Sequence, residues 1–140
     1  MSGLVMPALN AQTIARREEI IADMKIIVPG EGVVHTENGM RPFETDALTA
    51  YRQMPLVVVL PETVQQVSRI LKYCHDRNIR VVPRGSGTSL SGGALPLGDA
   101  VLLVMTRFNR ILDVDYANRT VTAQPGVTNL GITNAVQHEG

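Results

Sequence analysis

Apolar residues change their spacing several times along this chain, and each spacing predicts a different element. Ile14, Ile21, Met24 and Val28 recur near helical intervals while Arg16, Arg17, Glu18 and Glu19 point elsewhere, which predicts a helix capped by Asn10 and running to about Lys25. Pro29 and Gly30 end it. A short strand is expected at Val33 to His35, whereas residues 36–53 show no period and read as a long loop, a length that is often functional. The unbroken apolar run Leu56 to Leu60 predicts a strand buried on both faces, closed by Pro61.

Helical spacing then returns. Val64, Val67, Ile70, Leu71 and Cys74 trace the inward face of a helix over about Glu62 to Asn78, with Gln65, Gln66, Arg69, Lys72 and Asp76 outward. Arg80 to Val82 is the next strand, so Leu56 to Val82 forms a strand, crossover helix and strand, right-handed if parallel. Further strands are expected at Val101 to Met105, Ile111 to Asp115 and Thr120 to Ala123, the last two joined by the turn Tyr116 to Arg119. Pro125 and Gly126 break the pattern before a short amphipathic helix over Asn129 to Glu139 carried by Leu130, Ile132 or Thr133, and Val136. The fold class is mixed α and β. With no internal repeat or composition shift, a lead-in segment (residues 1–53) precedes one partial domain (residues 54–140).

At 140 residues the chain suffices for one core, and a chain near this size buries about two-thirds of its unfolded surface. Thirteen basic side chains balance thirteen acidic ones, so no net field favours nucleic acid or an anionic membrane, and any bound anion must be held locally. The longest apolar runs are too short to span a bilayer. The single cysteine, Cys74, excludes an internal disulfide and, with no secretory pattern at residues 1–10, leads to an expectation of a cytoplasmic protein. Cys74 lies on an inward helical stripe and reads as a small core residue. None of His35, His75 and His138 has a partner at metal-ligand spacing, so each reads as surface or structural, and neither a general base nor a metal site is assigned.

One stretch is chemically dense. Pro83-Arg84-Gly85-Ser86-Gly87-Thr88-Ser89-Leu90-Ser91-Gly92-Gly93-Ala94 puts glycines, hydroxyl side chains and an arginine directly after a strand. Glycines let successive backbone N–H groups turn into one concavity, a nest that binds phosphate oxygens, and the hydroxyls add donors at its rim. The loop holds no lysine, which sets aside the nucleoside-triphosphatase phosphate loop. Counting from Gly85 and Gly87, the sixth place is Leu90, which sets aside the Rossmann dinucleotide fingerprint. Composition alone leaves a flexible surface turn as the other reading.

Pro83 to Pro96 resembles the phosphate-binding loop of the flavoprotein family that includes vanillyl-alcohol oxidase and p-cresol methylhydroxylase. Asp46, Tyr51-Arg52, Pro55 through Pro61, Arg107-Phe108 and Gln124-Pro125-Gly126-Val127 follow the order seen in its glycolate oxidase and D-2-hydroxy-acid dehydrogenase branch. The resemblance runs from about Ile26 onward. It implies the N-terminal half of a p-cresol methylhydroxylase-type FAD-binding domain, in which Arg84, Gly85, Ser86, Gly87, Thr88 and Ser89 wrap the FAD pyrophosphate and Gly92 and Gly93 pass close to the cofactor. Some family members attach flavin through a histidine in this loop. No histidine lies between His75 and His138, so non-covalent FAD is expected.

Pro125, Gly126 and Val127 match a segment near the flavin in relatives, and a plain turn between strand and helix is the equal alternative. Asp46 reads more simply as a cap for local N–H groups. Arg84 is either a cofactor ligand or an arginine bonding nearby carbonyls. Relatives oxidise a 2-hydroxy acid to a 2-oxo acid on the flavin, with substrate clamp and base in segments with no counterpart here. The implied partners are FAD and other subunits of a glycolate oxidase-like complex. The chain is expected to be a fragment or one piece of a split enzyme, and a non-catalytic nucleotide-binding module is the alternative.

Overall fold

The computed structural model describes residues 6–139. In chain order the elements are α1 (Ala11–Ala15), α2 (Arg17–Ile27), β1 (Val33–Val34), α3 (Glu37–Met40), a 3-10 turn (Arg41–Phe43), β2 (Val57–Val59), α4 (Val64–Asp76), β3 (Arg80–Arg84), β4 (Ala100–Val104), β5 (Ile111–Asp115), β6 (Thr120–Ala123), α5 (Asn129–Val136) and a closing 3-10 turn (Gln137–Glu139).

The first four strands form one sheet in the order β1-β2-β4-β3. β4 runs parallel to both β2 and β3, pairing Val58 with Leu102 and Val82 with Leu102, while β1 closes the β2 edge antiparallel. The predicted strand, helix and strand thus comprises parallel strands with β4 inserted between them, which explains why every residue of β4 is buried. Side chains alternate across the sheet with a period of two. Val57, Val59, Val101 and Leu103 join Ile20, Ile21, Met24, Ile70 and Cys74 of α2 and α4 in one core cluster. Val58, Ala100, Leu102 and Val104 face the opposite way and pack with Val82 and Met40, and with the partly buried Phe43 and Leu60.

Local chemistry sets the element ends. Thr63 and Gln66 form a reciprocal capping box at the start of α4, and Asn78 takes a left-handed φ of 53° just beyond its end. Pro83 sits inside β3, which tolerates it because β3 is an edge strand and its missing N–H deprives no neighbour. In the β5–β6 hairpin the backbone N–H and then the side-chain amide of Asn118 bond Asp115, holding its carboxyl below the usual range, and Arg119 turns the chain at φ 54°.

Three expectations are corrected. The single helix from Asn10 is two helices broken at Arg16. Asn10 caps α1 and donates its backbone N–H to Asp99 at 2.8 Å, anchoring α1 beside β4, whereas α2 lays its stripe on the sheet. Residues 36–53 hold α3 and a 3-10 turn, too short to display a period, set by the Thr36 cap on Gly39 and by Pro42. Ile14, Val64 and Leu71, expected inward, are exposed, and Tyr73 occupies the inward face of α4 instead.

Candidate functional site

The glycine-rich loop leaves the C-terminal end of β3 beside the C-terminal end of β4, the edge where open parallel sheets bind ligands. There it forms one wall of an open cleft of about 810 Å³. Gly85, Ser86, Gly87, Thr88 and Ser89 line that wall, and Pro125, Gly126, Val127 and Thr128 line the facing one. The two segments that the sequence singled out, 36 residues apart from Ser89 to Pro125, therefore meet across a single space.

Each wall is held by specific contacts. Gly87 has φ +78°, and a Cβ there would overlap the Arg84 guanidinium beneath it. Arg84 is buried, and its Nη1 donates to the carbonyls of Thr45 at 2.7 Å and Ala94 at 3.3 Å, so its side chain lies under the loop rather than in the cleft. Burial pulls its pKa down from the ordinary value and the Asp46 carboxylate offsets part of this; a guanidinium stays protonated regardless. The Ser89 hydroxyl accepts from the N–H groups of Ser91 and Gly93, bracing the second half of the loop. Gly92 also turns left-handed, at φ +76°. Neither Gly92 nor Gly93 lines the cleft; both lie in this braced half.

On the facing wall, Gly126 donates to the Phe108 carbonyl at 2.7 Å, and a Cβ there would collide with the Met105 and Phe108 carbonyls. Glycine is required by this backbone approach. The turn reading of Pro125-Gly126-Val127 thus holds structurally, and the same turn faces the cleft. Asp46 caps the Leu48 N–H at 3.0 Å, the role read for it from sequence, and its second carboxylate oxygen is buried with no partner among the described residues.

The cleft lining carries no charged side chain, and the N–H groups of Gly85 to Ser89 find no acceptor among the described residues. Thr106, Asn109 and Thr128 add polar groups that sequence reasoning passed over. Thr106 stands two residues beyond the end of β4, and Thr128 caps α5 by accepting from Gly131, so strand end and helix cap were the available signals. Unpaired N–H groups, hydroxyls and the start of α5, with no carboxylate among them, suit a phosphate-bearing anion and offer no acid or base. His35, His75 and His138 lie outside the cleft. Cys74 is buried in the core, where burial pushes its thiol up to about 11.

Comparison with known proteins accords with this geometry. Residues 55–140 match the FAD binding domain model. The chain is 49% identical over 120 residues to glycolate oxidase subunit GlcD of Escherichia coli, covering 86% of this chain and 24% of that protein. It is 39% identical over 102 residues to the Bacillus subtilis subunit (73% and 22% covered), and 30% identical over 123 residues to mitochondrial D-2-hydroxyglutarate dehydrogenase of Bos taurus (88% and 22%). Among solved structures, p-cresol methylhydroxylase superposes with a TM-score of 0.79 at 19% identity, covering 97% of this chain and 27% of that one. The 4-ethylphenol oxidase of Gulosibacter chungangensis gives 0.79 at 22%, covering 98% and 27%.

The chain belongs to the FAD binding domain family, with the p-cresol methylhydroxylase-type fold, and its cofactor is FAD. It spans about a quarter of the length of the curated relatives it matches. No helix among the described residues is long and apolar enough to cross a membrane.

Proposed function

We propose that this chain is the FAD-holding portion of an oxidoreductase that converts a 2-hydroxy acid to a 2-oxo acid. The observation that carries the reading is the cleft between the glycine loop and the Pro125 turn, lined without carboxylates by residues whose backbone N–H groups, from Gly85 to Ser89, have no acceptor among the described residues. The N–H groups of Gly85 to Ser89 and the hydroxyls of Ser86 and Thr88 would hold the pyrophosphate. Arg84, Gly92 and Gly93 support the loop from below and behind, and Pro125, Gly126 and Val127 bound the far side. Bound FAD supplies the electron acceptor for the reaction.

The cleft lining includes no histidine, cysteine or tyrosine, which supports non-covalent binding. It also includes no titratable side chain, so these residues bind and orient, and removal of the substrate hydroxyl proton falls to groups outside them. The relatives' names point to glycolate or D-2-hydroxyglutarate as substrate class and to association with further subunits. A cytoplasmic setting is part of the proposal, supported by the single buried, free Cys74.

Titration of the purified chain with FAD, followed by flavin fluorescence and calorimetry with inorganic pyrophosphate as competitor, tests this reading. Saturable binding displaced by pyrophosphate is expected, with all flavin released on denaturation. A chain that stays folded yet shows no saturable FAD binding overturns it.

A further inference from the structure

The family match begins at residue 55, yet the floor of the glycine loop is built from residues before it. Arg84 donates to the Thr45 carbonyl at 2.7 Å and to Ala94, at the far end of the loop, at 3.3 Å. Its guanidinium lies 5.8 Å from the centre of the Phe43 ring and directly under Gly87, where a Cβ would strike it. Leu48 packs against the other half of the loop, its Cδ2 3.4 Å from where a Gly92 Cβ would stand. Between them Asp46 caps Leu48, and Thr45 donates its hydroxyl to the Tyr51 carbonyl at 3.1 Å, which fixes the shape of the 43–51 segment. The contacts thus fall at the loop's start, its left-handed turns and its end.

We propose that Arg84 is a positioning residue: by clamping Ala94 and Thr45 through one nitrogen, it makes residues 43–48 the template on which the phosphate loop is shaped, and so couples this lead-in segment to cofactor affinity. The proposal rests on reading the loop as the FAD phosphate cradle, but its structural half is independent of any ligand. The clamp needs a donor at the end of a long side chain rather than a contact with phosphate. A lysine, with several N–H donors on one atom, retains the capacity to bond both carbonyls, and a methionine does not.

The test compares Arg84→Met, Arg84→Lys and Leu48→Ala with the wild-type chain by hydrogen exchange without ligand, and then by FAD titration. In Arg84→Met, the hydrogen-bonded amides of Ser91 and Gly93 in the loop and of Glu44 and Leu48 beneath it should exchange about tenfold faster or more, while those of β2 and β4 keep their protection. Arg84→Lys should restore most of that protection. Leu48→Ala, whose smaller change keeps the test usable if Arg84→Met does not fold, should loosen residues 89–95 selectively. FAD affinity should fall about tenfold in Arg84→Met and recover in the lysine variant. Unchanged loop exchange in a folded Arg84→Met, or in Leu48→Ala if the former is unfolded, refutes the clamp whether or not FAD binds. Faster exchange spread equally over β2, β4 and the loop refutes it too, as the mark of general destabilisation. Loosened loops with unaltered FAD affinity overturn the coupling, whereas absent FAD binding by wild type counts against the cofactor reading alone.

Discussion

Replacing Gly87 and, separately, Gly85 by alanine should give opposite results although the two stand in one loop. At Gly87 the backbone is left-handed, at φ +78°, which costs an L-residue about 1–2 kcal/mol. The new methyl also occupies the space of the Arg84 guanidinium, and moving that group strains its bonds to Thr45 and Ala94, each of a kind contributing about 1.5–3 kcal/mol. Allowing for partial relaxation, the total is about 3 kcal/mol. At Gly85 nothing lies within 4 Å of the point where the methyl would stand and φ is outside the left-handed range, so the change should stay within about 0.5 kcal/mol. An unfolding entropy of about 2 cal/mol/K per residue over 140 residues turns these figures into a fall of roughly 10 °C for Gly87→Ala and under about 2 °C for Gly85→Ala. Thermal unfolding by far-ultraviolet circular dichroism, with tyrosine emission as a second probe in this tryptophan-free chain, measures both. Equal melting temperatures would show that the left-handed turn over Arg84 is not how the loop is built.

Two further outcomes follow from buried polar groups. Burial pushes the Cys74 thiol from 9.0 to about 11, so the folded chain keeps the proton that the unfolded chain releases. This contribution is full below about pH 9 and is lost as pH rises to about 11, on the order of 2 kcal/mol. Urea unfolding of wild type and Cys74→Ala across that range should show a shallower decline in the variant, and parallel declines would refute the assignment. Asp99, fully buried at its side chain, accepts from the Asn10 backbone N–H at 2.8 Å and pairs with Arg80 at 3.2 Å. Asp99→Ala should cost about 2 kcal/mol and release the start of α1, so that trypsin cuts at Arg16 and Arg17 sooner. An unaltered digestion pattern would show that Asp99 does not hold that segment.

What was legible in the sequence depended on whether a signal was local. The run Leu56 to Leu60 announced a strand covered on both faces, and the two core clusters occupy its two sides. Tyr116 to Arg119 announced the hairpin turn, whose strands have the expected bounds. The loop and the Pro125 turn were recognisable as separate motifs, but their meeting across one cleft depends on β4 entering between β2 and β3, which no local pattern records. The break at Arg16 was hidden because α1 spans only five residues, too few for its period to be told apart from that of α2. Arg84 was ambiguous for the same reason: its acceptors, Thr45 and Ala94, lie 39 and 10 residues away.

The two walls of the cleft rest on layers of unequal burial. The glycine loop springs from strands whose residues fill two core clusters, whereas β5, β6 and α5 contain no buried residue, and Leu112 and Leu130 stand 57% and 67% exposed. A layer with so few buried contacts opens at lower free energy than the sheet, so the population with both walls in register is smaller than the population that is folded. Apparent affinity for a ligand spanning the walls is the intrinsic affinity scaled by that fraction. Any polypeptide surface that covers Leu112 and Leu130 would therefore tighten cofactor binding without touching the cofactor, making retention of the flavin a gauge of how completely this layer has been assembled.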